Sequence, residues 1–372
     1  MTSILTEAET LTLQQVRYFA RADQVRPVID ILGPQIDAAL ANGRGSRPFL
    51  GTSFDVLCRA ILSAEGSDEP NRVRIADLCA RSEDRFGAQP WSILYRACLA
   101  HLTGDRDAAA ALYQAVGSEA DILWPSSVGS RSVIGSGDLA AWRTADSLKI
   151  TPARIEHRGA TGTSVLFVAC DGIYLRAFAP AYLQSVATWA PEASLHVHLV
   201  DPAADDLAWI ESAARDLWSR ISISSEVYAG PDRRTWYAMT RFVRLPQILD
   251  MYDRPVLVSD IDAALTRPLG GFATGGDIGF RIKRAGFRAH PWQTVQAGAL
   301  TVRPTPDGIA SAQLLKRLAV GMFDARGGRG LWFADQNVLF SGWRALVEEG
   351  HVLVDDISGQ ALPGGLVFGK AL

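Results

Sequence analysis

The sequence predicts an all-α domain followed by an α/β domain built on a mostly parallel, doubly wound sheet, and three observations carry that prediction. Apolar residues recur at helical spacing from Leu11 to about Val116. Beyond Ser164, short and nearly all-apolar runs alternate with helical ones. The chain has 372 residues, 48% of them hydrophobic and 21% charged, which is ordinary globular composition at a length that suits two domains.

The N-terminal region, expected over residues 1–120, reads as paired helices. The clearest pair starts at Trp91-Ser-Ile-Leu94-Tyr95, runs to Leu102, turns at Gly104-Asp105 and continues from Ala108 to Val116. Gly suits such a turn, and Asp105 or Asp107 suits the cap of the second helix. Phe54 to Leu62 and Val73 to Cys79 form a looser pair upstream, with Leu57 and Leu94 separated by 37 residues. That spacing lies near the roughly 34 of tetratricopeptide units, and the Trp91–Val116 copy resembles one. Residues 121–163, rich in Ser, Gly and Pro, read as a connector with a short helix near Asp138–Leu148.

The third region, 164–372, alternates strand and helix. Val165–Cys170 reads as a buried strand that ends in Asp171-Gly172, followed by a helix over Phe178–Trp189. Leu195–Val200 is a second strand ending in Asp201, Asp205–Trp218 a helix, and Ile221–Tyr228 a third strand. Thr235–Met251 is helical, and Pro255–Ser259 is a fourth strand ending in Asp260. This βαβαβαβ order requires parallel strands joined by right-handed crossovers, and ligands of such sheets bind beyond the carboxyl ends of the strands. The rule singles out Asp171, Asp201 and Asp260 before any family is considered.

Asp260-Ile261-Asp262 places two carboxylates one residue apart where a strand opens into a loop. Like charges so placed repel, and a divalent cation such as Mn²⁺ or Mg²⁺ relieves the repulsion and can neutralise a diphosphate leaving group. A solvated turn accounts for an isolated Asp-x-Asp equally well. The cluster Arg281-Ile-Lys283-Arg284-Ala-Gly286-Phe287-Arg288-Ala-His290 concentrates positive charge that suits either a diphosphate or a solvated loop. His196 and His198 share one face of a strand, without a third metal ligand at a recognisable spacing.

Four segments taken together resemble a GT-A nucleotide-sugar glycosyltransferase, most closely glycosyltransferase family 8. They are Phe167–Tyr174 with Tyr182-Leu-Gln-Ser185, Arg241–Leu249, Val256–Asp262, and Gln296–Leu300 followed by Trp332–Asn337. The resemblance implies a Rossmann-like sheet and a metal-dependent transfer of a sugar, of hexosyltransferase type, from a nucleotide diphosphate sugar (a UDP-sugar favoured) to a protein or glycan acceptor. It implies that Asp171 binds the base and Tyr174 stacks on it. Arg241, ahead of Arg244, reaches the diphosphate or ribose. Asp260 and Asp262 hold the metal, and Asp260 also holds the ribose. Ala297-Gly298 brings backbone close to the sugar, Asp335 and Gln336 act on the sugar side as the catalytic pair, and Lys370 meets the donor. The family's C-terminal histidine, a third metal ligand, is absent from Gly364–Lys370.

The exclusions are compositional. A net charge of −3 offers no bulk basic field for nucleic acid. Fifteen basic and 18 acidic residues precede residue 151, while the 22 of each sign that follow cancel. The net charge therefore lies on the helical side, which suits a protein partner or a second copy. No run approaches the roughly 20 apolar residues of a membrane span, and Met1–Thr10 lacks a basic signal-peptide region. Four dispersed cysteines suit a reduced, cytoplasmic protein, and arginine dominance over the four lysines suits a GC-rich bacterial genome. Two other readings fit the same residues: a catalytically inactive binding scaffold and a sugar-nucleotide pyrophosphorylase. Asp171-Gly-Ile-Tyr-Leu-Arg176 is a poor version of the Gly-rich basic loop that the latter needs.

Overall fold

The computed structural model describes residues 5–21, 24–65, 67–116, 127–144, 150–266, 268–269, 275–283, 290–326, 331, 333–358 and 366–367. They form two compact units, one of residues 1–138 with 285–294 and one of residues 139–284 with 295–372. The α/β class, the mostly parallel doubly wound sheet expected of a GT-A domain and the N-terminal all-α domain are all present.

The first unit contains helices α1 (Glu7–Arg21), α2 (Val25–Asn42), α3 (Arg47–Glu65), α4 (Glu69–Phe86), α5 (Pro90–Leu102) and α6 (Arg106–Ala115). Chain neighbours pack side by side because each helix carries one apolar face. Leu32, Ile36, Phe54, Leu57, Ile61, Ile75 and Leu94 are all but inaccessible to water. Asp68 caps α4 through Asn71 N, and Asp105, of the two candidates, caps α6 through Ala108 N. Buried Tyr95 donates its hydroxyl to Asp55 Oδ1 at 2.8 Å.

A segment from far along the chain belongs to this unit. The Tyr113 hydroxyl lies 2.9 Å from Nδ1 of His290, and Trp292 stacks on the same imidazole at 4.7 Å between centroids. Gly129 makes room, since a Cβ there would meet the Trp292 ring at 2.4 Å. Burial pushes His290 well below the ordinary imidazole value, so the ring is neutral and packs as an aromatic. The rest of the basic cluster, 284–289, lies outside the described residues.

The second unit contains α7 (Ser136–Arg143, from its Leu139 onward), β1 (Arg154–His157), β2 (Ser164–Cys170), α8 (Gly172–Trp189), β3 (Ala193–Val200), α9 (Asp206–Ala213), β4 (Ile221–Glu226), α10 (Arg233–Tyr252) and β5 (Val256–Ser259). There follow β6 (Ala264–Leu265), β7 (Ile278–Ile282), β8 (Val295–Val302), α11 (Pro306–Arg326), α12 (Ala334–Glu349), β9 (Val354–Asp356) and β10 (Leu366–Val367). The region read as a connector thus holds α7 and the edge strand β1. Helix α8 begins six residues before the expected Phe178, because Asp171 caps it, and Pro180 sits within it. The helix expected over Asp205–Trp218 is α9 followed by a 3-10 segment, Arg215–Arg220.

The sheet runs β1-β4-β3-β2-β5-β8-β7-β9, with β2, β3, β4 and β5 mutually parallel. Period-two alternation covers both faces. Leu166, Val168, Leu195, Val197 and Leu199 join the core under α8 and α9. The opposite face turns His196, His198, Ser222 and Ser224 toward α10, where all are buried. His196 bonds the Tyr252 hydroxyl at 2.9 Å and Ser224 Oγ at 2.7 Å, and His198 Nδ1 meets the same Oγ at 2.9 Å. Glu226 accepts from Trp236 Nε1, Thr240 Oγ1 and Arg244 Nε at 2.7–2.8 Å. Arg244 therefore serves the interior of the sheet domain, and the strand histidines are hydrogen-bonded core residues.

That network makes stability pH-dependent. Burial drives His196 down from 6.5 to about 3 and lowers His198 as well. Burial would raise Glu226, but the His198 hydrogen bond and the Arg244 guanidinium win and bring it from 4.5 to about 2. All three groups bind a proton more readily in the unfolded chain. Stability is thus complete above about pH 6.5, and each group removes on the order of 1 kcal/mol per pH unit below its unfolded value. Urea midpoints measured from pH 7 to pH 4 should fall, and the fall should be smaller in His196→Gln.

A second prediction concerns the aromatic seat. Trp292→Ala should cost about 3–5 kcal/mol in urea unfolding. A chain lacking residues 1–130 should aggregate, because His290 and Trp292 lose Tyr95, Tyr113 and Gly129; a soluble, cooperatively unfolding product would contradict this.

Candidate functional site

The strand order contains a topological switch point. The chain steps outward from β2 to β3 to β4, then returns through α10 to add β5 on the other side of β2. Carboxyl ends of strands flanking such a point leave a crevice, here between β2 and β5. Phe167 pairs with Val258 in register, so Asp171 and Asp260 leave adjacent parallel strands at the same edge.

The loop after β5 is pinned from beneath. Ile261 and Ala263 enter the core, leaving Asp260 half-buried and Asp262 exposed. Helix α8 fastens this loop at both ends. The Tyr182 hydroxyl bonds Ser259 Oγ at 2.7 Å, and Ser185 Oγ accepts from Leu265 N at 3.1 Å. The Tyr182–Ser185 segment thus holds the Asp-x-Asp backbone in place. On the other side, β8 pairs Ala299 with Ser259, and its register with β7 jumps from Phe280–Leu300 to Arg281–Gln296. Residues 297–299 bulge, which brings buried Gly298 next in register to Asp260.

Arg241 enters from α10. Its side chain is 6% exposed, and its guanidinium donates to Asp260 Oδ1 and, at 3.3 Å, to Asp335 Oδ2. Asp335 lies in the first turn of α12, where its Oδ1 accepts from Gln336 N at 2.8 Å. Burial lowers the Arg241 guanidinium, opposed by Asp335 and Asp262, and burial raises the Asp335 carboxyl, opposed by Arg241. Each partner thus makes the other's buried charge tolerable. Among the described residues Arg241 Nε has no hydrogen-bond partner.

Asp171 caps α8, accepting from Tyr174 N at 2.7 Å through Oδ1. The turn needs Gly172, because a Cβ there would lie 2.2 Å from Asp206 Oδ2. Tyr174 is half exposed and tilts against Phe178. Asp201, with φ of 50°, ends β3 and accepts from Tyr228 N at 2.7 Å and the Tyr237 hydroxyl at 3.2 Å. Burial, then the carboxylates of Asp201 and Asp171, push the Tyr237 hydroxyl above its ordinary value. Sequence reasoning missed Tyr237; its place one helical turn before Arg241 was the available signal.

The structure therefore brings Arg241, Asp260 and Asp335 into contact, with Asp262 two residues on and Asp171 on the neighbouring strand. Gln336 is half-buried beside Asp335, whereas Trp332 and Lys370 lie outside the described residues. Val367 of β10 pairs with Ala264 of β6, two residues from Asp262. Among the described residues no three His, Cys, Asp or Glu side chains form a metal-holding group. Asp260 and Asp262 would offer two carboxylates, the first of them shared with the Arg241 guanidinium. Two carboxylates are chemically suited to a Mg²⁺-like or Mn²⁺-like ion only if water and phosphate oxygens were to complete its shell.

No protein-family model matches the chain, and no curated protein does. Among solved structures, the chain is similar to the apo form of glycosyltransferase GlyE from Streptococcus pneumoniae TIGR4, with 15% identity and a TM-score of 0.34 over 53% of this chain and 46% of that one. It is similar to mouse xyloside xylosyltransferase 1 at 15% identity and a TM-score of 0.33, covering 52% and 84% of the two chains. It is also similar to the galactosyltransferase LgtC solved with donor and acceptor sugar analogs, at 17% identity and a TM-score of 0.34, over 48% and 69%. The chain spans less than half the length of the first of these. No helix among the described residues is long and apolar enough to cross a membrane.

Proposed function

We propose that this protein is a metal-dependent, cytoplasmic glycosyltransferase of GT-A type, which moves a hexosyl group from a nucleoside diphosphate sugar to a protein or glycan acceptor. The observation that supports it is the convergence of Arg241, Asp260 and Asp335 at the switch-point crevice, with Asp262 in the same loop. Charges of both signs drawn from a helix, a strand end and a second helix suit a polar ligand that brings an anion together with a divalent cation.

The crevice divides by chemistry. Asp171 and Tyr174 take the base, Asp171 accepting from a ring N–H and Tyr174 stacking. Asp260 accepts from the ribose hydroxyls. Arg241 donates to the diphosphate, as does Lys370. Asp262 and the second oxygen of Asp260 would hold Mn²⁺ or Mg²⁺, which would neutralise charge on the departing diphosphate. The backbone at Gly298 approaches the sugar where a side chain would intrude. Asp335 and Gln336 hydrogen-bond the sugar hydroxyls and orient C1. The bond from C1 to the β-phosphate oxygen breaks with its electron pair on the diphosphate, the acceptor oxygen bonds to C1, and the acceptor proton is released. These residues contribute positioning and charge stabilisation rather than covalent chemistry.

Asp262→Asn should abolish Mn²⁺-dependent binding of UDP-sugars in calorimetry while its urea unfolding matches the wild type. Unchanged binding would refute the metal role. Asp171→Asn separates a cap from a base contact, because Asn and Asp cap helices about equally. The variant should keep its stability and lose about tenfold in uridine-nucleotide affinity, the scale of one hydrogen bond to a charged group. Equal affinity would leave Asp171 as a cap alone.

A further inference from the structure

The ion pair between Arg241 and Asp260 has a consequence for the order in which the site fills. A carboxylate that already accepts from a guanidinium is a poor ligand for a divalent cation. One oxygen is taken, and the arriving ion meets a like charge that cannot deprotonate. Asp260 is 32% exposed in its side chain, so the ion can reach it, but Arg241 is buried and has no room in solvent to retreat to. It does have a second anchor, Asp335 at 3.3 Å, and a donor not yet used, Nε. An incoming diphosphate can therefore take Arg241 over from Asp260 while Asp335 keeps the guanidinium inside.

We propose that Arg241 is an internal counter-ion which occupies Asp260 in the free protein, suppresses metal binding there, and releases that carboxylate when a diphosphate arrives, so that metal and nucleotide bind with positive coupling. This deepens the reading given above and rests on it for the identity of the anion. Asp260, Asp262 and Asp335 against Arg241 give a formal excess of two negative charges, which attracts a cation, while the Arg241 ion pair withholds one of the two carboxylates that would ligate it. A cation alone must compete with Arg241, whereas a cation arriving with a diphosphate gives Arg241 another partner. Coupling between sites of this kind is commonly 5–150-fold.

The test measures Mn²⁺ binding to the full chain by electron paramagnetic resonance without nucleotide, and UDP affinity by calorimetry at zero and saturating Mn²⁺. In the wild type, Mn²⁺ alone should bind weakly, and Mn²⁺ should tighten UDP by about tenfold or more. In Arg241→Gln, Mn²⁺ alone should bind about tenfold tighter and the coupling should fall by about the same factor, leaving the part that comes from contact between the ion and the diphosphate. Arg233→Gln controls for net charge, since Arg233 lies on the same helix but pairs with Asp201 at 3.7 Å. It should leave both quantities as in the wild type. If Arg241→Gln unfolds, the double variant Arg241→Gln/Asp335→Asn removes the stranded buried carboxylate and is read in its place. Unchanged or weaker Mn²⁺ binding in the Arg241 variant overturns the proposal, as does equal tightening by Arg233→Gln. Failure of the wild type to bind UDP at all would overturn the functional reading instead, because the Mn²⁺-only comparison does not depend on nucleotide.

Discussion

Helix α10 carries two guanidiniums into the protein interior, and much of the α/β unit is arranged to receive them. A buried charge without a partner costs several kcal/mol, so each arginine constrains which carboxylates must lie opposite. Arg244 takes Glu226 at the end of β4, on the face of the sheet that α10 covers. Three residues earlier, Arg241 takes Asp260 at the end of β5 and Asp335 at the start of α12. Helical spacing places the two on neighbouring lines of one face. The same helix therefore locks the sheet interior through one arginine and assembles the polar crevice through the other.

These clusters differ in what they can do. Around Glu226 the polar groups are closed in by Trp236, Thr240, Tyr252 and the strand histidines, with no open ligand position. His196 and His198 are neutral there because burial disfavours the imidazolium, and their hydrogen bonds go to Ser224 and Tyr252. The Arg241 cluster is open on the side of Asp262, has an unpartnered Nε and stands at the carboxyl edge of the sheet. Each cluster holds one buried side-chain nitrogen without a hydrogen-bond partner among the described residues, His198 Nε2 and Arg241 Nε, but the second stands beside an exposed carboxylate, Asp262, at the carboxyl edge of the sheet.

The helical unit contains a stretch of chain that sequence order assigns elsewhere. His290 and Trp292 follow β7 and precede β8, yet their rings pack with Tyr95 and Tyr113. A concave helical surface is often supposed to await a foreign peptide. In this protein the aromatic positions of α5 and α6 are occupied by the chain's own residues, six positions before Gly298.

Much of the site was legible because local chemistry announced it. Apolar runs ending in Asp marked β2, β3 and β5, and an Asp-x-Asp at a parallel strand end is an economical sign of a polar crevice. Periodicity placed α10, and Asp105 signalled the start of α6. Helix α8 starts six residues before the expected Phe178, because Pro180, which suits a first helical turn, instead lies within the helix. The cap at Asp171 and the close approach of Asp206 explain why the helix begins there. The sequence by itself determined the class of each domain, the strand order's parallel core and the carboxylates at its edge, because these follow from hydrophobic period and from where strands stop. Only the tertiary structure decided that Arg241 pairs with those carboxylates while Arg244 turns to Glu226, that Asp335 closes the ion cluster, and that His290 belongs to the helical unit. Those pairings join residues up to 177 positions apart, and no local pattern encodes which buried charge or ring will meet which partner until the core that excludes water has formed.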